Sequence, residues 1–374
     1  MNILQNKPEQ FRKRVLRANF WNKGGGEMKF DAIVGNPPYQ SNISNSDENA
    51  SLSKQMFPTF IQQSITLGAE YVSLITPSRW FTADAQDKSF IKLREFISDK
   101  QHFEAIYHYP NNKDIFNGVE IAGGVNYFLY KQSHNGDVNF YECTSEMKDC
   151  ISRPLFEDGL DIILSMNGFV NVLNKVRSAS DFVSMMTITQ GRNAFGIVGK
   201  ESELKKITSD KYFEGAYELR CAHEEIKYTS KTNISKNLEI ADKWKVFTSK
   251  GNGGAGILNN EKPVAIIGKA YIGKPQSACT DSLIPIGCFD TKEEAVNLQK
   301  YMTTKFFRFM IGILKVSQNI SQNVYRFVPL LDFTNSSTIN WKETPSNIDA
   351  QLYQKYGLSE DEIQMIDTMV KPME

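Results

Sequence analysis

Four consecutive residues, Asn36-Pro37-Pro38-Tyr39, set an amide and an aromatic ring on an unusually stiff stretch of backbone. The amide oxygen and a neighbouring carbonyl can accept the hydrogens of an exocyclic amine, and the ring can stack on a flat heterocycle that bears it. Two successive prolines give the chain no N–H to donate and restrict the residues before them, so any strand leading into the string must end there. Taken as four residues alone, the string also fits an ordinary proline turn.

The flanking residues say how the string is positioned. The apolar run Ala32-Ile33-Val34 predicts a buried strand over Phe30–Val34, broken by Gly35, so that the amide and ring sit at a strand's carboxyl end. That is where ligands bind in open α/β sheets. Helical spacing follows through Phe57, Phe60, Ile61 and Ile65 (residues 56–67), and then a strand at Tyr71–Thr76 that stops at Pro77. Phe90, Leu93, Phe96 and Ile97 define a helix face over roughly residues 87–99, and strands are expected at Phe103–Tyr109, Gly124–Lys131 and Val138–Glu142. Residues 41–55 read as a mobile loop, and residues 1–28 as a polar, basic segment ending in the connector Gly24-Gly25-Gly26. Alternation of strands and helices places the chain in the α/β class.

Asp31, the apolar strand, Gly35 and the Asn-Pro-Pro-Tyr string together resemble the catalytic motif of DNA adenine-N6 methyltransferases, in particular the Eco57I-like restriction-modification methylases. The resemblance implies that Asn36 (side-chain oxygen) and Pro37 (carbonyl) accept from the target amine, that Pro38 stiffens the string, and that Tyr39 stacks on a flipped adenine. The amine's lone pair is delocalised into the ring, and fixed acceptors on its hydrogens promote attack on a methyl sulfonium without a strong base. Because the target atom is unreachable inside a duplex, the base must be flipped out. The resemblance also implies that Phe116, in Asp114-Ile-Phe-Asn-Gly-Val119, sandwiches the adenine from its other side; a hairpin-loop aromatic covering the core is the alternative. Thr76-Pro77-Ser78-Arg79-Trp80 matches the motif shaping the pocket wall, whereas Trp80 and Phe81 suit the core. By this resemblance the sheet is the C-terminal half of a Rossmann-like methyltransferase sheet. Its Asn-Pro-Pro-Tyr strand would be the fourth of seven, with Tyr71–Thr76, 103–109 and 124–131 the fifth to seventh.

Composition sets bounds on these readings. Lysine plus arginine (43) equals aspartate plus glutamate (43), so nucleic acid would have to meet a local basic face. The five cysteines and four histidines fall in no zinc-like spacing, and no metal site or disulfide framework is expected. No signal-like or membrane-length apolar run occurs, which suits a cytoplasmic protein.

The texture changes near Asp181. Glycine-rich stretches at Gly191–Gly196 and Gly251–Gly256 and scattered lysines suggest an α+β target-recognition domain. Residues 29–180 are thus read as a partial catalytic domain, 181–344 as a double-stranded-DNA-binding domain and 345–374 as a helical tail. Arg192, Asn193, Lys250, Lys274, Gln276 and Arg308 are the candidate DNA contacts, against the alternative of plain solvated surface. Tyr301, Lys305, Phe306, Phe309 and Ile313 share one helical face, and Thr291–Glu294 and Ser359–Glu362 read as capping boxes.

In the family, S-adenosylmethionine is held mostly by elements before the Asn-Pro-Pro-Tyr motif, a glycine-rich turn and an acidic residue. Neither stands among the 35 residues preceding Asn36, where only Asn19 and Phe20 offer a weak correspondence. The cofactor site is therefore expected to be incomplete. The strand at Phe30–Val34 should be a sheet edge, covered by a partner chain, a dimer mate or residues 1–28. Two functional classes stand: adenine-N6 methylation of DNA by a truncated or split methyltransferase, and an inert DNA-recognition subunit of a restriction or phage-defence complex.

Overall fold

The computed structural model describes residues 7–21, 23–42, 53–82, 87–99, 102–116, 118, 121, 123–251, 258, 262–315 and 319–373. The chain forms two compact units, Met1–Val170 and Asn171–Glu374.

The first unit is built on a mixed sheet of six strands. In spatial order these are β1 (Ala32–Gly35), β4 (Tyr71–Pro77), β6 (Val125–Lys131), β5 (Phe103–Tyr109), β7 (Val138–Cys143) and β8 (Lys148–Arg153). A small antiparallel hairpin, β2 (Gln40–Asn42) with β3 (Ser53–Gln55), stands apart. β1 runs parallel to β4, β6 is antiparallel to both its neighbours, and β5 runs parallel to β7. The unit is mixed α/β, as the alternation of elements implied.

Period-two burial makes one sheet face the core. Val72 and Leu74, Ile106, Phe128 and Phe140 meet helix α2 (Phe57–Thr66) through Phe57 and Ile61, and helix α3 (Ser89–Ile97) through Phe90, Leu93 and Ile97. Helix α1 (Pro8–Val15) lies upstream. Burying each such large apolar side chain contributes about 1.5–3 kcal/mol. Trp80 and Phe81 are buried in this cluster, as their apolar character suggested.

Three expectations need correcting in this unit. Only Ile33 of the run Ala32-Ile33-Val34 packs on the core; Ala32 is exposed and Val34 is 79% exposed. The strand is at the sheet edge, and alternate side chains face away from the helices. It also continues through Gly35, which pairs with Leu74, so the prolines and not the glycine end it. Residues 41–55 contain strands β2 and β3 at their two ends; residues 43–52 lie outside the described residues. The described part of residues 1–28 holds two short helical elements. Pro8 starts α1 at a position where its missing N–H costs nothing, and a 3-10 turn at Ala18–Trp21 follows. The segment then folds back on itself through an antiparallel β-bridge between Arg17 and Glu27 and a hydrogen bond from the Met28 N–H to the Leu16 carbonyl. Among the described residues, no strand pairs with the free side of β1.

The second unit holds a four-stranded sheet (Ser277–Cys279, Tyr217–Arg220, Ile226–Thr229, Thr208–Ser209) and a three-stranded one (Ala270–Gly273, Trp244–Ser249, Leu283–Phe289). Capping boxes open the helices Lys292–Thr303 and Glu360–Met369. The face expected to join Tyr301 to Ile313 is broken: Thr304 caps a new helix, Lys305–Leu314, so Tyr301 belongs to the preceding one.

β6 starts where two backbones nearly touch. Gly124 has φ +79°, and a Cβ there would stand 2.2 Å from the Tyr109 carbonyl oxygen and 2.8 Å from that of Pro110. Its own carbonyl accepts from the Ser78 amide at 2.9 Å, tying the ends of β4 and β6. Gly124→Ala should therefore lower stability by about 2–4 kcal/mol, the sum of a left-handed backbone and an overpacked contact. Chemical denaturation of the two proteins measures it, and a loss below 0.5 kcal/mol (about the scatter of neutral surface changes) would refute the close approach.

Candidate active site

The Asn36–Tyr39 string leaves the carboxyl end of β1 and leads into β2. One open depression of about 490 Å³ is lined by Asn36, Pro37, Pro38, Tyr39, Gln40, Phe116 and Ile121. Two segments far apart in sequence thus meet: the proline string after β1 and the loop joining β5 to β6. Asn36 is exposed, and its amide takes no hydrogen bond among the described residues. Pro37 is buried, and no backbone N–H from the described residues reaches its carbonyl. Tyr39 is half-buried, edge-on to Phe57 with ring centres 6.5 Å apart, and its carbonyl accepts from the Met56 amide at 2.9 Å. Its hydroxyl is buried without a hydrogen-bond partner, and desolvation holds its pKa above the usual tyrosine value. Phe116 is half-buried and faces the same depression. The set offers acceptors on one wall and aromatic surface on two.

Thr76 and Ser78, expected in the pocket wall, are turned instead into a buried polar cluster. Asn126 Nδ2 donates to the Thr76 carbonyl and the Ser78 hydroxyl, both at 3.2 Å, and Ser78 Oγ lies 2.9 Å from His108 Nδ1. All four side chains are buried. His108 is held neutral, with its pKa lowered to about 3. Desolvation is the main cause and the Arg153 charge adds to it, while the Val125 carbonyl opposes it. The reading from sequence missed this cluster. Its signal was present: His108 shares the inward phase of Ile106, and Asn126 that of Phe128, in otherwise apolar strands.

The remaining candidates are not gathered at the depression. Asn19 and Phe20 lie in the 3-10 turn Ala18–Trp21 and do not line it. In the second unit, Arg192 pairs with Asp281 at 3.1 Å and Lys274 with Glu218 at 2.8 Å. Desolvation acts to raise the Asp281 pKa, yet the Gly199 amide, Arg192 and Lys250 hold it below the usual value. Lys250 lines a cleft of about 520 Å³ with Arg220, His223 and Tyr271, the Arg220 guanidinium lying 4.6 Å from the Tyr271 ring centre. Asn193 and Gln276 both adopt left-handed backbone, at φ 58° and 56°. Gln276 is exposed, while the Asn193 side-chain oxygen is buried without a partner. Arg308 is a correction: it is fully buried and donates to the carbonyls of Thr303, Thr304, Ala265 and Lys371. It cannot touch DNA, because its helix face closes on the core and its charge is spent on backbone oxygens. Of the glycine-rich stretch, residues 252–256 lie outside the described residues.

Residues 1–116 match the family model of the Eco57I restriction-modification methylase. A curated protein of Mycoplasma pneumoniae (strain ATCC 29342 / M129 / Subtype 1), described as an uncharacterized adenine-specific methylase, is 35% identical over 119 residues. That alignment covers 32% of this chain and 27% of the relative, so the chain spans about a quarter of the curated relative it matches. Among solved structures, the type IIG restriction endonuclease BpuSI is similar at 12% identity and a TM-score of 0.40, covering 90% of this chain and 52% of that one. The type IIL restriction-modification enzyme MmeI in complex with DNA gives 8% identity and a TM-score of 0.39, covering 90% and 53%. The methylase resemblance is thereby borne out over residues 1–116, the stretch that ends on Phe116.

The buried imidazole makes stability depend on acid. Its folded pKa of about 3 lies below the unfolded value of about 6.5. The unfolded chain therefore binds the extra proton between those values. The His108 contribution is complete above about pH 6.5 and falls as pH drops toward 3, by roughly 2 kcal/mol on reaching pH 5. Urea unfolding at pH 7.5 and 5.0 should show a smaller acid loss for His108→Gln than for the wild type. An equal loss in both would show that the imidazole is not the group responsible.

Proposed function

We propose that the chain acts on adenine in DNA, and that the depression beside β1 receives the flipped base. One observation carries the reading. Asn36, Pro37 and Tyr39, the residues whose chemistry suits an exocyclic amine, share a single concavity with Phe116 from a distant loop. Asn36 Oδ1 and the Pro37 carbonyl accept the two amine hydrogens and so leave the nitrogen's electron density directed out of the ring plane. Pro38 keeps both acceptors from drifting. Tyr39 and Phe116 offer π-faces to the base, a contact worth about 1–3 kcal/mol per stacked base in single-strand binders. The strand order β1-β4-β6-β5 suits the fourth, fifth, seventh and sixth positions of a methyltransferase sheet. On this reading residues 29–180 are the catalytic part. Residues 181–344 meet double-stranded DNA through Arg192, Asn193, Lys250, Lys274 and Gln276, and residues 345–374 close that part with helices. A cytoplasmic location goes with it.

S-adenosylmethionine is the donor such methylases imply, and the two candidate residues do not fit it. Phe20 packs edge-on against Trp21, and the Arg14 guanidinium lies 5.4 Å from its ring centre, a poor setting for a cationic sulfonium. Asn19 and Phe20 are therefore not assigned to the cofactor, and no step is derived through it. The same observation favours a second reading, in which the chain recognises DNA within a restriction or phage-defence complex and does not turn over alone. A partner chain or dimer mate at the free side of β1 belongs to either reading.

The test uses the full chain and labelled methyl transfer from S-adenosylmethionine to plasmid DNA. Asn36→Ala should lower transfer by on the order of a hundredfold or more while leaving DNA affinity within about twofold, since an acceptor and not a DNA anchor is lost. Transfer that survives the substitution sinks the role of Asn36. Calorimetric binding of S-adenosylmethionine to the wild type separates the two readings: binding favours an enzyme, and none favours the recognition subunit.

A further inference from the structure

The loop between β5 and β6 runs from Pro110 to Gly124 and carries Phe116. Among its described residues no sheet pairing fixes it, and loops of its size are ordinarily the mobile part of a fold. Yet two of its residues, Phe116 and Ile121, must hold still if they are to form one wall of the depression. Both are tied to the same residue. The Asn112 carbonyl accepts from the Phe116 amide at 2.8 Å and from the Ile115 amide at 3.1 Å. The Asn112 side-chain oxygen accepts from the Ile121 amide at 3.1 Å. Asn112 is itself buried, and it lies next to Asn111, whose side chain caps the short 3-10 turn by accepting from Lys113.

We infer that Asn112 is a positioning residue for base binding. It joins the two flanks of the loop and so fixes the Phe116 ring opposite the Asn36–Tyr39 string. The inference rests on the adenine reading above and deepens it. Asparagine suits the task because one residue must present a backbone carbonyl and a side-chain acceptor in two directions. Alanine keeps the first and loses the second, whereas aspartate keeps an oxygen at the place where the Ile121 amide points. The residue touches no substrate; its effect passes through Phe116.

The experiment follows binding of a single-stranded oligonucleotide carrying one 2-aminopurine, whose fluorescence is quenched on stacking, to the full-length protein. The wild type should quench. Asn112→Ala should bind the probe more weakly by on the order of tenfold, the usual cost of a lost buried hydrogen bond, and Asn112→Asp should recover most of the quenching. Hydrogen exchange at the Ile121 amide should quicken in Asn112→Ala and stay slow in Asn112→Asp. Equal quenching by wild type and Asn112→Ala overturns the inference while leaving the pocket in place. So does an Asn112→Asp protein as weak as the alanine variant. A wild type that does not quench overturns the adenine reading itself, and the inference with it. Should Asn112→Ala fail to fold, Ile121→Pro removes the same hydrogen bond from its donor side and is read by the same outcomes.

Discussion

Four parallel pairs, Ala32–Tyr71 to Gly35–Leu74, are the only sheet contact among the described residues that holds the strand leading into Asn36. Everything proposed for the site depends on that short ladder. A parallel edge strand of four residues is a weak anchor by itself, since no strand among the described residues pairs with its other side and its hydrogen bonds are slanted. Three things compensate. Ile33 and Phe30 press into the helix-covered core, the Tyr39 carbonyl holds the Met56 amide at the start of α2, and two prolines remove the backbone freedom between them. The string is therefore stiff because of its covalent structure and not because it is deeply packed.

The facing wall is stiff for the opposite reason. The loop that bears Phe116 has no proline after Pro110 and, among its described residues, no strand pairing; hydrogen bonds to Asn112 and the close backbone contact at Gly124 shape it. The Thr76, Ser78, His108 and Asn126 side chains fix the ends of β4, β5 and β6 relative to one another. Buried polar groups are costly unless every member finds a partner, and when satisfied they specify a single arrangement. Here that arrangement ties the ends of β5 and β6, between which the Phe116 loop runs.

Much of this was legible in the sequence, and the failures have physical causes. The strands at residues 71–77, 103–109 and 125–131 and the helices at 57–66 and 89–97 were visible because their apolar residues keep a strict period. The exposure of Ala32 and Val34 was not, because a run of apolar residues does not say which face of the strand the helices cover. The break at Thr304 was hidden by periodicity. Tyr301 and Phe306 are both buried, so the apolar spacing passes through a cap whose side chain turns back to Phe307. Asn112 carried no signal of its own, since its importance lies in which amides the fold brings to it. Phe116 was marked by the resemblance alone, and the structure brings it to the Asn36–Tyr39 depression.

Charge was the least readable property, and the second unit shows why. Counting cations assumes that each is available, but two of them are consumed inside the fold. Arg308 donates to backbone carbonyls, and Lys245 donates to those of Ala241, Lys243 and Lys274 while burial lowers its pKa to about 7. Others are balanced locally, as Arg192 is by Asp281 and Lys274 by Glu218. A surface of paired charges offers little unscreened field at a distance, so its attraction for a polyanion comes from exchange: a phosphate must replace a carboxylate at a guanidinium or ammonium already in place. Such exchange makes affinity modest and salt-sensitive, and it favours partners whose phosphates match the spacing of the existing pairs. On that argument the balanced composition is compatible with DNA binding.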